Sequence, residues 1–210
     1  FLLIAQPDLG QTLLITFSWI TLIFVSGINL IFLLSIFISV IISLLYVTFY
    51  VSKFQYIKNR LLSFFNSETG THNFQSDKAI DSITSGGFFG KGIGEGILKN
   101  RVPEAHTDYI ISVISEEFGV IAIMLILILF LTFIYLIFKK VENETDDTIR
   151  LILIGSGSLI LLQAMIHIGV NIRLFPTTGM TLPYLSYGGS SIISISVFSG
   201  IILNLTKRKV

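Results

Sequence analysis

The 210 residues are 52% hydrophobic and only 13% charged, with a mean hydropathy of +0.83, a balance that excludes an ordinary soluble domain and marks an integral membrane protein. A net charge of +1, not gathered into one basic face, gives no footing for nucleic acid. With no cysteine there is no disulfide framework, thiolate nucleophile or cysteine metal site.

In chain order, Phe1 already lies in an apolar run, without an initiator Met or a charged leader and cleavage site, so the chain reads as a fragment. Residues 1–5 read as the tail of a helix whose body is missing. A spanning helix needs about 20 mostly apolar residues, and the segments 11–28, 30–51, 119–138 and 151–170 meet that test, with a slightly more polar fifth at 186–204. The break at Gly27 and Asn29 makes the first two a tight hairpin. The expected organisation is therefore all-α and polytopic. Residues 1–51 are the end of one span plus a transmembrane hairpin, residues 52–118 a large extracytoplasmic loop, and residues 119–210 three transmembrane helices with a re-entrant outer loop at 171–190.

Within the long loop, Phe54, Ile57, Leu61 and Phe65 recur at helical spacing with Lys53, Lys58 and Arg60 between them. This pattern suits a helix lying on the membrane surface, or equally an extension of the second span. Lys139, Lys140 and Arg150 flank one short loop, and Lys207, Arg208 and Lys209 end the chain. Positive residues in short loops mark the cytoplasmic side, which places the 52–118 loop outside.

Chemistry-bearing residues concentrate next to this loop's exit. Asp108 follows Thr107 at the start of a helical pattern, so it reads either as an N-cap or first-turn acid or as a general base at the membrane surface. Glu104, Glu116 and Glu117 could tune it, and His106 is an acid, a ligand or a polar loop residue. Asp8, in Gln6-Pro7-Asp8-Leu9-Gly10, reads evenly as capping grammar and as a second outward-facing carboxylate lining the same cavity. Gln163, His167 and Asn171, four residues apart, share one helical face. They either glue helices together or form a polar cavity wall, with Arg173 at its outer end offering a cation to a phosphate. The glycine-rich run from Ser85 to Gly96 matches neither phosphate-loop pattern and follows no strand, so nucleotide is not expected; its glycines suit tight turns or a mobile lid. The prolines and glycines between Phe175 and Ser191 break any helix, and irregular backbone at membrane depth is tolerated only where it lines a cavity or packs within protein.

At these residues the sequence resembles the SEDS family (shape, elongation, division and sporulation), the membrane peptidoglycan glycosyltransferases. The resemblance rests on Gln6 to Gly10, on Ser85 to Gly96, on Pro103 to Asp108 with Glu116-Glu117-Phe118-Gly119, and on Pro176 to Ser191, and it covers essentially the whole chain. It implies the C-terminal five or so spans of a ten-span fold. The segment Pro176 to Pro183 and the Gly94-Glu95-Gly96 turn are more similar to the family's cell-division branch than to its elongation branch. Asn66-Ser67 stands where the family often has Asp-Pro, and Val102-Pro103-Glu104 where it often has Leu-Pro-Glu.

The implied reaction joins lipid II to a growing glycan on its polyprenyl pyrophosphate, with Asp108 as the catalytic base. Lys99, Arg101 and Arg173 are the implied cations for the leaving pyrophosphate, and Asp8, Gln75, Glu104, His106, Glu117, His167 and Asn171 surround the substrate cavity. A divalent metal, Mg or Mn, is implied without assignable ligands. The implied partners are a class B penicillin-binding transpeptidase and other divisome proteins, and the implied location is the bacterial cytoplasmic membrane at the division septum. A lipid II flippase, or a scaffold for the transpeptidase, is the alternative.

Overall fold

The computed structural model describes residues 3, 6, 8–50, 55–65, 71–97 and 102–207. Among them the elements are α1 (Leu9–Val25), α2 (Leu30–Tyr50), α3 (Gln55–Phe65), α4 (Thr71–Gly86), α5 (Ile110–Glu142), α6 (Asp147–Asn171) and α7 (Gly189–Thr206). Three of these, α5, α6 and α7, are long and apolar enough to cross a membrane, while α1 and the stretch Leu30–Ser43 of α2 form shorter apolar helices. Residues 1–5 and 208–210, including the expected helix tail and the last basic residues, lie almost wholly outside the described set, as do Lys53 and Phe54.

The α6 helix is the centre of the bundle. Asp146 starts it by accepting from the amides of Thr148 and Ile149, as a capping aspartate does. One side packs with α5 and α7 around Ile137, Leu153, Ile160, Ala164, Ile195 and Ile202. Its other side joins α1, α4 and the turn before α5 around Leu14, Ala79, Tyr109, Ile166 and Val170. Small residues permit both contacts: a side chain at Gly155 would meet Leu22 of α1 at 3.2 Å, and one at Gly157 would meet Ile137 of α5 at 3.1 Å.

The 52–118 region is more regular than the sequence pattern suggests. Besides α3 it holds α4, and the last nine residues of the expected loop are already the start of α5. The α4 helix announces itself poorly because it packs through small residues, with Ser76, Ala79 and Ser82 buried, rather than through an apolar stripe. It lies against α5, where Ser82 Oγ donates to Glu116 Oε2 at 3.0 Å. The third apolar stretch is continuous with this outer portion of α5 through a break at Gly119, whose φ of 75° and ψ of −178° are not helical.

The segment between α6 and α7 is irregular but tightly held. Arg173 and Tyr184 both take left-handed backbone, with φ of 59° and 67°. Leu174 N donates to Gly169 O at 2.7 Å, and a turn closes where Ser186 Oγ accepts from Leu182 N at 2.8 Å. Leu182 and Pro183 are fully buried while Leu174, Tyr184 and Tyr187 are exposed, so the middle of this segment packs within protein, the condition under which non-helical backbone survives next to lipid.

Candidate active site

Residues 102–109 form a compact turn ahead of α5. The Glu104 carbonyl accepts from the amides of Thr107 (3.1 Å), Asp108 (3.0 Å) and Tyr109 (3.3 Å), and Thr107 Oγ1 donates to Glu104 Oε2 at 3.1 Å. The three successive carbonyls of residues 106–108 are all claimed by distant residues. His106 O accepts from Tyr187 N at 2.9 Å, Thr107 O from Ser186 Oγ at 2.6 Å, and Asp108 O from Asn171 Nδ2 at 3.0 Å. Asn171 and Ser186 are buried, so the turn is clamped from behind while the Asp108 side chain stays half exposed. The cap position of α5 belongs to Tyr109, which makes no side-chain cap bond. The Asp108 carboxylate is therefore not used as a helix cap.

That carboxylate lines a cavity of about 100 Å³ together with Arg60, Gln75, Tyr109, Val170, Thr177, Gly179 and Met180. Gly179 has a φ of +71°, and a methyl group there would sit 3.6 Å from Asp108 Oδ2, so the bare backbone leaves the carboxylate's flank open. Gly179 also borders a second cavity of about 570 Å³ between α1, α6 and α7, lined by Gln11, Leu14, Gln163, Thr181, Ser191 and Phe198 among others. Burial, then the nearby Glu104 charge, push the Asp108 carboxyl above its ordinary 3.8, with the Thr107 hydroxyl pulling the other way. The Tyr109 phenol is pushed up to about 12, chiefly by burial and by Asp108, against the pull of Arg60.

The other residues singled out in the sequence fall into distinct places. Gln75 shares the Asp108 cavity, and Glu104 acts on Asp108 through its charge. His106 is exposed and contributes its carbonyl to the clamp. His167 and Asn171 are buried supports and line neither cavity: His167 Nδ1 is 2.7 Å from Met180 O, and Asn171 also donates to His167 O at 2.9 Å. Gln163 bonds Thr181 O at 2.9 Å and faces the larger cavity. The polar face of α6 is thus glue that fixes the 176–191 segment and the Asp108 turn.

Asp8 caps α1, accepting from Gln11 N at 2.9 Å, and lines neither cavity. Arg173 is paired with Asp77 of α4, which compensates the charge expected to meet a phosphate. Glu117, nine residues beyond Asp108, is absent from the Asp108 cavity; its neighbour Glu116 is the fully buried acid. Lys99 and Arg101 lie outside the described residues.

Arg60 is the residue that sequence reasoning left among ordinary surface cations. Its Nη1 donates to Thr177 O at 3.1 Å, which brings α3 to the cavity mouth. The available signal was its place between Ile57 and Leu61 on a helix whose Ile57 is buried. Among the described residues no three of His, Cys, Asp or Glu converge as metal ligands.

The clamp makes a testable demand. Asn171→Ala leaves the Asp108 carbonyl without its donor, and displacement of a catalytic group by about 1 Å costs up to about 10²-fold in rate. The expected result is a loss of turnover in that range with little change in KM, measured on the full-length protein. Asn171→Asp is expected not to rescue it, because a carboxylate cannot donate to that carbonyl.

Helices of spanning length around a buried polar centre define a multi-pass membrane protein, with the Asp108 carboxylate in a small cavity ahead of α5. The chain belongs to the family described as Cell cycle protein, that of FtsW, RodA and SpoVE, whose profile matches residues 1–210. It is 34% identical over 209 residues to the Probable peptidoglycan glycosyltransferase FtsW of Caulobacter vibrioides, an alignment covering 99% of this chain and 52% of that protein. It is 37% identical over 210 residues to the Probable peptidoglycan glycosyltransferase FtsW of Trichlorobacter lovleyi, covering 98% and 54%. The chain thus spans about half the length of these relatives. A solved chain from a peptidoglycan synthase complex that coordinates polymerization and crosslinking superposes with a TM-score of 0.75 at 24% identity, over 98% of this chain and 57% of that one. That likeness establishes the fold.

Proposed function

We propose that this chain is the C-terminal half of a septal peptidoglycan glycosyltransferase, which polymerises lipid II at the outer face of the bacterial cytoplasmic membrane beside a partner transpeptidase. The observation that carries the reading is the Asp108 carboxylate, half-buried with a raised pKa, in a cavity with Arg60 that meets a larger cavity between spans at Gly179. Family membership and the names of the relatives support the same chemistry. Lys139 and Lys140 at the inner end of α5 support the orientation.

The step follows from that arrangement. Asp108, ionised, takes the proton of the acceptor's sugar hydroxyl as its oxygen attacks the donor's anomeric carbon. A new glycosidic C–O bond forms, the anomeric carbon's bond to the pyrophosphate oxygen breaks, and polyprenyl pyrophosphate leaves with the electron pair. Arg60 offers a fixed cation where that negative charge develops. The cavity between α1, α6 and α7 gives a lipid-linked sugar a route from the bilayer to the carboxylate.

The test is glycan-strand formation from purified lipid II by the full-length protein with its transpeptidase partner. A protein that is well folded and active in septal assembly but makes no strands would move transport or scaffolding to the front. The pH profile adds a second check. A base acts only when deprotonated, so activity is lost as pH falls through the Asp108 pKa, and this acid limb lies above the ordinary carboxylate value. Glu104→Gln removes one of the two raising causes while keeping an acceptor for Thr107. The limb is therefore expected to move to lower pH, and an unmoved limb would show that Asp108 does not set it.

A further inference from the structure

The glycine-rich run, which the proposed chemistry leaves unused, is not a loose lid. It is stitched to the break in α5 by backbone bonds: Lys91 N donates to Glu116 O at 2.9 Å, Gly92 N to Glu117 O at 3.0 Å, and Val120 N to Gly87 O at 3.0 Å. The far end is held by the buried Glu116 carboxylate, which accepts from Ile97 N at 2.9 Å and pairs with Lys91 at 3.4 Å. The approach is so close that a methyl group at Gly90 would lie 2.1 Å from Glu117 O. This firmly anchored loop nevertheless presents Phe88, Phe89, Ile93 and Ile97 to the outside, with Phe89 83% exposed.

The stitching also sets the depth of these side chains. Lys139 and Lys140 mark the inner end of α5, and about 20 residues at about 1.5 Å each cover the roughly 30 Å hydrocarbon core. The outer boundary therefore falls near Gly119. Gly87 and Phe88 are bonded to Val120 and Ile121, just inside that boundary, while Gly92 is bonded one turn above. The exposed apolar surface is continuous with the outward face of the span, where Phe118, Val120, Ile121, Met124 and Leu125 are also exposed. Free-standing phenylalanines at this level match a lipid surface better than water.

We propose that the Phe88–Phe89 tip of the loop is inserted in the outer leaflet as an interfacial anchor, its occupant being the acyl region of the bilayer. The anchor holds the outer end of α5, and through Glu116 and Ser82 the α4 helix, at a fixed height over the membrane. This rests on the membrane-spanning reading of α5 and not on the enzymatic one, so loss of polymerase activity in the test above leaves it untouched.

The chain has no cysteine, so a nitroxide can be placed singly at Phe89→Cys in the full-length protein, any cysteines elsewhere in it being removed. Reconstitution in phosphatidylethanolamine–phosphatidylglycerol vesicles and comparison of collisions with oxygen, which partitions into lipid, and with a water-soluble nickel chelate then gives depth. Leu125→Cys serves as the lipid-facing reference and Glu95→Cys as the aqueous one. The expected result is a label at 89 that favours oxygen over nickel as the label at 125 does, with the label at 95 favouring nickel. Nickel access at 89 equal to that at 95 would overturn the proposal in favour of water. Shielding from both reagents, whether constant or appearing only with the transpeptidase bound, would overturn it in favour of a protein partner. Ile93→Cys, one level higher, provides a second site should the Phe89 variant fail to fold, and is expected to read between the two references; a reading equal to the aqueous one, or shielding from both, counts against insertion.

Discussion

Asp108→Asn is expected to abolish strand formation while leaving the protein folded. A positioned general base contributes about 10²–10⁴-fold, and an amide in the same place accepts no proton at neutral pH. Stability should move little or upward. The Asp108 pKa is raised in the fold, so the carboxyl's contribution is fully present below the unfolded pKa and is lost as pH rises through the folded one. At neutral pH the ionised wild-type carboxylate is therefore a burden that the neutral Asn removes. The clamp bond from Asn171 goes to the backbone carbonyl and survives the substitution. Thermal unfolding of purified wild type and variant, run beside the polymerisation assay, separates the two effects. A stable variant that polymerises normally would remove Asp108 from the mechanism.

Gly119→Ala is expected to be among the most damaging single changes to the fold. Its φ of 75° with ψ of −178° lies in a region that is essentially restricted to glycine and costs about 1–3 kcal/mol for another residue. Its added methyl would also meet Phe88 O at 2.1 Å, Phe88 C at 2.4 Å and Gly90 N at 2.6 Å. All three are backbone atoms, so no rotamer change relieves the clash and the loop must leave the helix. Gly94→Ala is the matched control: its φ is +82° but nothing lies within 4 Å of the new methyl, leaving only a left-handed cost of about 1–2 kcal/mol. Thermal midpoints of the full-length protein in detergent should rank wild type, then Gly94→Ala, then Gly119→Ala well below both. Equal losses for the two variants would mean that the close approach of loop and helix is not maintained in solution.

These two glycines belong to motifs visible in the sequence, yet only one of their roles was. Turn glycines are legible because the demand for a positive φ is local. The seam between Gly90 and Glu117 is not, because the pairing of a loop with a helix about 25 residues away leaves no periodicity behind. The same distinction runs through the site. Asp108 stood out from its neighbours as an acid at the head of an apolar helix. Its freedom from capping duty was invisible until the cap position of α5 fell on Tyr109. Nor does the sequence distinguish the adjacent acids Glu116 and Glu117, of which the fold encloses Glu116 among Ser82, Lys91 and Ile97.

Hydropathy, positive residues in short loops and helix-breaking prolines act within a window of about twenty residues. From the sequence one can therefore read a multi-pass helical membrane protein, most of its apolar helices to within a few residues, and an ionisable cluster ahead of α5, but not that α5 starts nine residues before its apolar stretch. Only the packed bundle reveals that α4, with no apolar stripe, is a helix, that Arg173 is engaged by Asp77 while Arg60 reaches the cavity, and that Tyr187, Ser186 and Asn171 hold three successive carbonyls around Asp108. Those outcomes depend on which buried polar groups find each other across the bundle, and a group shielded from water takes whatever partner the packing of distant helices brings within reach.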